Sequence, residues 1–259
     1  MTKHPFHLVS SSPWPLLASS TSLLIVCGLV FSWSSRGPLL LFLSFALLLI
    51  TLVCWWYSVI TESTFMGCHT LRVQSGLRLG IFLFIISEIF FFLSFFWAYL
   101  HCSLSPSVEI GSTWPPSGLV SLSAFHLPLL STIVLLSSGA TITWSHSALQ
   151  SGLTESSTIA LFLTILLGLF FTLLQGTEYY SCSFCISDGA YGSCFYLATG
   201  FHGLHVIFGT LFLLACLFRS LFCHFTPARH LGFVFACWYW HFVDVIWILL
   251  FLIVYVWGS

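Results

Sequence analysis

The feature that most constrains this chain is a series of long apolar segments with few charged residues between them. Apolar windows between polar residues and Pro or Gly breaks give seven segments: 15–34, 38–60, 76–104, 127–149, 155–181, 190–222 and 232–257. A helix needs about 20 mostly apolar residues to cross a bilayer. Only 5% of the 259 residues are charged, against about 25% in soluble domains. The sequence therefore predicts an all-α, polytopic membrane protein with seven transmembrane helices.

The charge balance excludes a nucleic-acid partner. Six Lys and Arg residues and a formal net charge of -1 are too little for a basic binding surface. The first 15 residues contain no apolar run, so we expect neither a secretory signal nor an Arg-rich transit peptide, and the first helix has to direct targeting itself.

The basic residues are distributed unequally over the two sides of the predicted membrane. One side carries five of them, Lys3, Arg72, Arg78, Arg219 and Arg229, and the other side carries only Arg36. Basic residues concentrate in cytoplasmic loops, or in matrix loops in a mitochondrion. The N-terminus is therefore predicted on the matrix or cytoplasmic side.

A polar loop at 61–76 separates the first two apolar segments from the other five. We predict two packing units on this basis: an N-terminal segment with a two-helix bundle at 1–75, and a five-helix bundle at 76–259.

Ionisable residues inside a membrane are costly and mark functional candidates. His101, His126, His146 and Glu178 fall near predicted span ends, where water or headgroups are expected to reach them. The set expected at greater depth is Glu88, His202, His205, His241 and Asp244.

Glu88 is predicted near the bilayer centre, in the sequence "FIISEIFFF". An ionised carboxylate there costs about 3 kcal/mol, so it should be protonated or paired. Two interpretations remain open. The residue handles protons, or it is a neutral acid that donates a hydrogen bond to a neighbouring helix.

The histidines and Asp244 form two pairs with i, i+3 spacing on spans six and seven. His202 and His205 share one helical face, and so do His241 and Asp244. One interpretation is a metal centre, because imidazoles and a carboxylate are suitable ligands. The other is hydrogen-bonded packing between the two spans, which Gly200, Gly203 and Gly209 favour by permitting close approach.

A polar rim is predicted on the inner side of the membrane. It contains Trp56, Glu62, His69 and Arg72 after span two, and Arg219 and His224 at the end of span six. Such clusters suit lipid phosphates, because Arg and His donate hydrogen bonds to them. Ordinary snorkelling of long side chains is the alternative.

The ten cysteines are scattered and predict no disulfide framework. Cys182 and Cys185 form the only CxxC motif, which is either a metal or redox site or two thiols in a loop.

Several long stretches of the sequence are distinctive. They are "ESTFMGCHT" (62–70), "GLRLGIFLFIISEIFFFLSFFWAYLHCSLSP" (76–106), "WPPSG" (114–118), "SGATITWSH" (138–146), "TLLQGTEYY" (172–180), "ISDGAYGSCFYLATGFHGLHVIFGT" (186–210) and "WYWHFVDVIW" (238–247). Together these stretches extend over nearly the whole chain, and they resemble one family, cytochrome c oxidase subunit III.

The resemblance implies two bundles, helices 1–2 and helices 3–7, separated by a V-shaped cleft that holds phospholipids. It implies no catalytic residue and no metal on this chain, because haem and copper belong to subunits I and II. His202, His205, His241 and Asp244 are then structural polar groups. Glu88 matches the buried glutamate of the family. Lipid-contact positions of the family match Trp56, Glu62, His69, Arg219 and His224.

The function implied is that of a non-catalytic subunit of the oxidase that transfers electrons from cytochrome c to oxygen and pumps protons. The implied partners are subunit I as the main contact, subunit II, accessory subunits, and phospholipids such as phosphatidylglycerol, phosphatidylethanolamine or cardiolipin. Cytochrome c is an indirect partner. The implied location is the mitochondrial inner membrane, with a bacterial plasma membrane as the alternative. The rival hypotheses are a stand-alone proton-coupled transporter and a membrane metalloenzyme built on His202 and His205.

Overall fold

The computed structural model describes residues 5–34, 37–108 and 111–258. Seven long α-helices account for most of these residues, as predicted: α1 (Trp14–Trp33), α2 (Leu39–Thr64), α3 (Leu71–Leu104), α4 (Leu127–Gln150), α5 (Thr154–Ser181), α6 (Gly189–Leu221) and α7 (Leu231–Leu250). A π-helical segment, Phe251–Val256, continues α7. Each span is long and apolar enough to cross a membrane. Helices suit this role because every backbone hydrogen bond is made within the segment.

The contacts divide the chain into two compact units, with the boundary between Leu77 and Arg78. In the first unit, α1 packs against α2. A Cβ on Gly28 would lie 2.8 Å from the Cα atom of Leu41, so the two helices approach backbone to backbone. The indole Nε1 of Trp14 donates a hydrogen bond to Ser58 Oγ at 3.1 Å. This bond joins the start of α1 to the C-terminal part of α2.

The second unit has its core among α4 to α7. Helix α4 packs against α5 and α7, and α6 packs against α5 and α7. Small residues make room for large ones here: Trp240 of α7 is fully buried, and its ring lies against Gly168 of α5 and Gly209 of α6. Small residues at helix interfaces allow such close approach in membranes.

The spans differ in how much of their surface the chain itself covers. In α4 to α7, between 39% and 56% of each most apolar 18-residue stretch is buried, but in α1, α2 and α3 only 11% is. Exposed apolar side chains on a transmembrane helix contact lipid or another protein. Most of the surface of α3 is thus available to such neighbours.

The predicted boundaries need one clear correction, since α3 begins at Leu71 and not near residue 76. Two residues that were used to predict the orientation, Lys3 and Arg36, lie outside the described residues. The grouping into an N-terminal bundle at 1–75 and a bundle at 76–259 remains a prediction.

Candidate functional site

Glu88 lies at the middle of α3 and meets a histidine of α6. Its Oε2 atom is 2.9 Å from His205 Nε2. Both side chains are largely covered, with 22% of Glu88 and 13% of His205 exposed. The structure thus joins two residues of the predicted deep set that are far apart in the sequence.

The second nitrogen of His205 fixes the position of one proton of this pair. His205 Nδ1 is 2.7 Å from the carbonyl oxygen of Phe201. A carbonyl oxygen only accepts, so Nδ1 carries a hydrogen and donates it. The contact between Nε2 and Glu88 then contains one further proton, on the carboxyl group or on the imidazole. In both arrangements the pair has no net charge, so it suits an apolar setting.

Aromatic rings enclose the pair. The ring centroids of Phe91, Phe92 and Tyr239 lie 5.0–6.3 Å from that of His205. Such a wall lowers the local dielectric constant and strengthens the hydrogen bond between the imidazole and the carboxyl group.

His202, the i, i+3 neighbour of His205, contacts a different helix. His202 is fully buried, and its Nε2 is 3.2 Å from the carbonyl oxygen of Val243 on α7. Its ring packs against Phe171 and Trp247, with centroids 5.6 Å and 5.0 Å away. His202 and His205 therefore share a helix face but no partner, and the structure supplies no third ligand common to both among the described residues.

His241 and Asp244 turn toward α4. His241 Nδ1 is 3.6 Å from Asp244 Oδ2, and His241 Nε2 is 3.3 Å from Thr143 Oγ1. A Cβ on Gly139 would lie 2.6 Å from Asp244 Oδ2, so this glycine admits the carboxyl group. The two i, i+3 pairs thus contact α3, α4 and α7, and the hydrogen bond from His202 to the backbone of Val243 is one of the contacts between α6 and α7.

Glu178 corrects the expectation that residues near span ends are reached by water. It lies in the last turn of α5, yet only 1% of its surface is exposed. Tyr255, in the π-helical segment, donates a hydrogen bond to Glu178 Oε1 at 2.5 Å. The reason for the difference is packing: the chain end after α7 covers this part of α5.

The rim residues Trp56, Glu62 and His69 lie in the first unit. Trp56 is 64% exposed on α2, Glu62 lies near the end of α2, and His69 lies in the connection to α3. His7, which the sequence did not point to, joins them, with its Nε2 atom 3.7 Å from Glu62 Oε2. Among the described residues, His7, Glu62 and His69 form the group whose ligand atoms lie close enough together to hold a metal ion, within 4.8 Å of one another.

The rim residues Arg219 and His224 lie in the second unit. The guanidinium carbon of Arg219 stands 4.4 Å from the centroid of the Phe225 ring. The backbone N–H of His224 donates to the carbonyl oxygen of Arg219 at 2.9 Å, which closes the turn after α6. A cation stacked on an aromatic ring and an imidazole in the next turn form a basic corner suited to an anionic headgroup.

The CxxC motif lies in the loop between α5 and α6. Both Cys182 and Cys185 are free thiols. Burial raises the pKa of the Cys182 thiol, which lowers its reactivity. The backbone N–H of Cys185 donates to Asp188 Oδ2 at 2.6 Å, and this bond lowers the pKa of Asp188. These contacts favour the interpretation of two thiols in a loop.

These features define a class: an all-helical, multi-pass membrane protein with a neutral carboxyl–imidazole pair between two spans. The profile of the family Cytochrome c oxidase subunit III matches residues 4–259. Cytochrome c oxidase subunit 3 of Branchiostoma lanceolatum is 53% identical over 256 residues, which cover 99% of this chain and 98% of the relative. The proteins of the same name from Scyliorhinus canicula and Canis lupus familiaris are each 52% identical over the same coverage. The chain belongs to the cytochrome c oxidase subunit III family.

Proposed function

We propose that this chain is a non-catalytic subunit of cytochrome c oxidase, held in the membrane against subunits I and II. Family membership over residues 4–259 carries the proposal. The uncovered apolar surface of α3 supports it, because a subunit needs such a surface for its partners. In this proposal electrons pass from cytochrome c to oxygen through haem and copper in the partner subunits, and protons are pumped there.

The location follows from the same proposal. The three relatives named above are animal proteins, and we propose the mitochondrial inner membrane with the N-terminus on the matrix side. The experiment that tests membership is purification of the chain from its native membrane in mild detergent, followed by an optical spectrum and metal analysis. Haem and copper should accompany the chain and stay with the partners after it is removed. A chain that purifies alone would support the transporter hypothesis instead.

The pair of Glu88 and His205 is proposed to serve proton uptake into subunit I. Its support is geometric: one mobile proton shared between Oε2 and Nε2 over 2.9 Å, halfway along α3. A group that can pass its proton without acquiring net charge avoids the cost of a lone ion in the membrane.

Glu88→Gln is expected to leave the fold intact and to remove the mobile proton. The amide of glutamine can donate to His205 Nε2, so we expect a stability loss of at most about 1 kcal/mol. Oxidase reconstituted with the variant chain should keep its haem content but take up fewer protons per electron, measured with a pH-indicator dye. Glu155→Gln is the control, because Glu155 is exposed in the first turn of α5. Unchanged proton uptake in the Glu88 variant would contradict the proposed role and leave a structural one.

The two groups of rim residues are proposed to bind phospholipid headgroups and so to stabilise the complex. Suitable lipids are phosphatidylglycerol, phosphatidylethanolamine and cardiolipin. Arg219→Gln should weaken the binding of an anionic lipid by about fivefold, since one basic residue near a membrane surface contributes about 1 kcal/mol. Native mass spectrometry of the purified chain with added phosphatidylglycerol measures the effect. Arg229→Gln, at an exposed position of the following loop, is the control and should change binding less. Equal losses in both variants would indicate general charge attraction in place of a site.

A further inference from the structure

Three side chains of the first unit meet in the arrangement of a metal site. One ligand atom from each of His7, Glu62 and His69 lies within 4.8 Å of the other two. The rings of His7 and His69 are 5.7 Å apart at a tilt of 57°. Side-chain exposure is 17% for His7 and 23% for Glu62, so the cluster is partly shielded yet open to an ion from the water phase.

Local contacts hold the three ligands in place from separate parts of the chain. Thr70 Oγ1, next to His69, donates to the carbonyl oxygen of Pro5 at 2.6 Å, which fixes the segment that carries His7. The guanidinium of Arg72 lies 5.4 Å from the centroid of the Phe6 ring and fixes the same segment a second time.

Glu62 and His69 are linked through the connection between α2 and α3. The backbone N–H of Cys68 donates to the carbonyl oxygen of Glu62 at 3.0 Å. The side chain of Gln74 donates to the carbonyl oxygen of His69 at 3.0 Å. The ligands are therefore attached to ordered backbone, which reduces the entropy lost when an ion brings them together.

The donor set is chemically specific. Two imidazoles and one carboxylate form a known ligand set for Zn²⁺ and leave a fourth position open. A tetrahedral ion with bonds of about 2.1 Å separates its ligands by about 3.4 Å. The most distant pair of ligand atoms thus needs to close by up to about 1.4 Å, which is within the reach of side-chain rotation at a partly exposed imidazole.

We propose that His7, Glu62 and His69 bind a divalent zinc ion at the end of α2. The fourth ligand is water or an oxygen from a phosphate group. The resemblance to the family implies that the chain binds no metal, and this cluster is the place where we expect that prediction to fail. The site rests on the residues of the chain itself and does not depend on membership of an oxidase.

The zinc site also explains how an acidic residue, Glu62, can belong to a rim that is proposed to bind anionic lipid headgroups. A carboxylate and a lipid phosphate are both acceptors of hydrogen bonds and repel each other when they lie side by side. A cation between them converts repulsion into attraction, with the metal accepting the phosphate oxygen at its open position.

The test uses the full-length chain, stripped with a chelator, in nanodiscs of phosphatidylcholine. Zn²⁺ alone is titrated against a chromophoric competitor, and one ion per chain is expected. His7→Gln, Glu62→Gln and His69→Gln should each weaken binding by more than about tenfold, because even partners of metal ligands contribute 10- to 100-fold. The matched controls are His126→Gln and Glu155→Gln, both at exposed positions of the second unit, and they should leave the affinity unchanged.

X-ray absorption at the zinc edge identifies the ligands. Scattering from two imidazoles without sulfur supports the site, and a zinc–sulfur shell would overturn it in favour of thiolates such as Cys68. Affinity that is equal in wild type and in all three variants would also overturn it. If one variant does not fold, as judged by loss of its helical circular dichroism signal, the other two variants decide the result. Each ligand comes from a different segment, so the three variants test the site independently. Repeating the titration with phosphatidylglycerol in the nanodiscs, and separately with inorganic phosphate, identifies the source of the fourth ligand.

Discussion

Trp240→Ala is expected to lower the free energy of unfolding of this chain by about 3–5 kcal/mol, the range for removing a buried Trp or Phe side chain. Trp240 is fully buried in α7. Its Nε1 atom donates to Ser138 Oγ of α4 at 2.9 Å, and its ring lies against Gly168 of α5 and Gly209 of α6. Alanine leaves a cavity at the junction of four helices and removes the hydrogen bond that Ser138 Oγ accepts, while Ser138 still donates to the carbonyl oxygen of Leu135.

The measurement is unfolding of the isolated chain in mixed micelles, monitored by fluorescence. Trp238→Ala is the matched control, because Trp238 lies two residues away on the same helix and is 40% exposed. It should cost less than half as much. Equal losses for the two tryptophans would mean that the junction does not hold the second unit together.

Gly168→Leu tests the same junction by overfilling it. We expect the free energy of unfolding to fall by more than about 3 kcal/mol, the upper end of the range for overpacking. A Cβ at this position would lie 2.6 Å from Thr210 Cγ2 and 2.7 Å from Trp240 Cη2. Neither neighbour can move aside, because both are enclosed by the other helices. We expect loss of the monodisperse peak in size-exclusion chromatography.

Gly176→Leu provides the control on the same helix. Nothing lies within 4 Å of a Cβ built at Gly176, and leucine has the higher helix propensity. This variant of the isolated chain should be at least as stable as the parent. A Gly168 variant that keeps its stability would show that α5, α6 and α7 are less closely packed than the distances indicate.

The seven spans were predictable because apolar length alone decides them. The start of α3 was missed for a physical reason: its first turns contain Arg72 and Gln74, which end an apolar window but do not end a helix. Backbone hydrogen bonds continue into the headgroup region, where polar side chains are solvated. Hydropathy therefore marks the hydrocarbon layer, and the helix extends beyond it.

The position of Glu88 along its helix was predictable, but its partner was not. The position of Glu88 in its span follows from counting residues, whereas His205 is 117 residues away. Helical spacing relates residues within four positions of each other and carries no information on which helix a face meets. The same limit explains why His7 was missed, since Glu62 and His69 lie more than 50 positions further along the sequence.

The hydrogen bond from Thr70 to Pro5 joins residues 65 positions apart, and this has a consequence for biosynthesis. While the ribosome is still adding α2, the segment before α1 has already left the exit tunnel, but its anchor does not yet exist. The amino-terminal arm can therefore be fastened only after both of the first two helices have been synthesised. A bulky fusion at this end would leave insertion unharmed and would interfere only with the later docking of the arm.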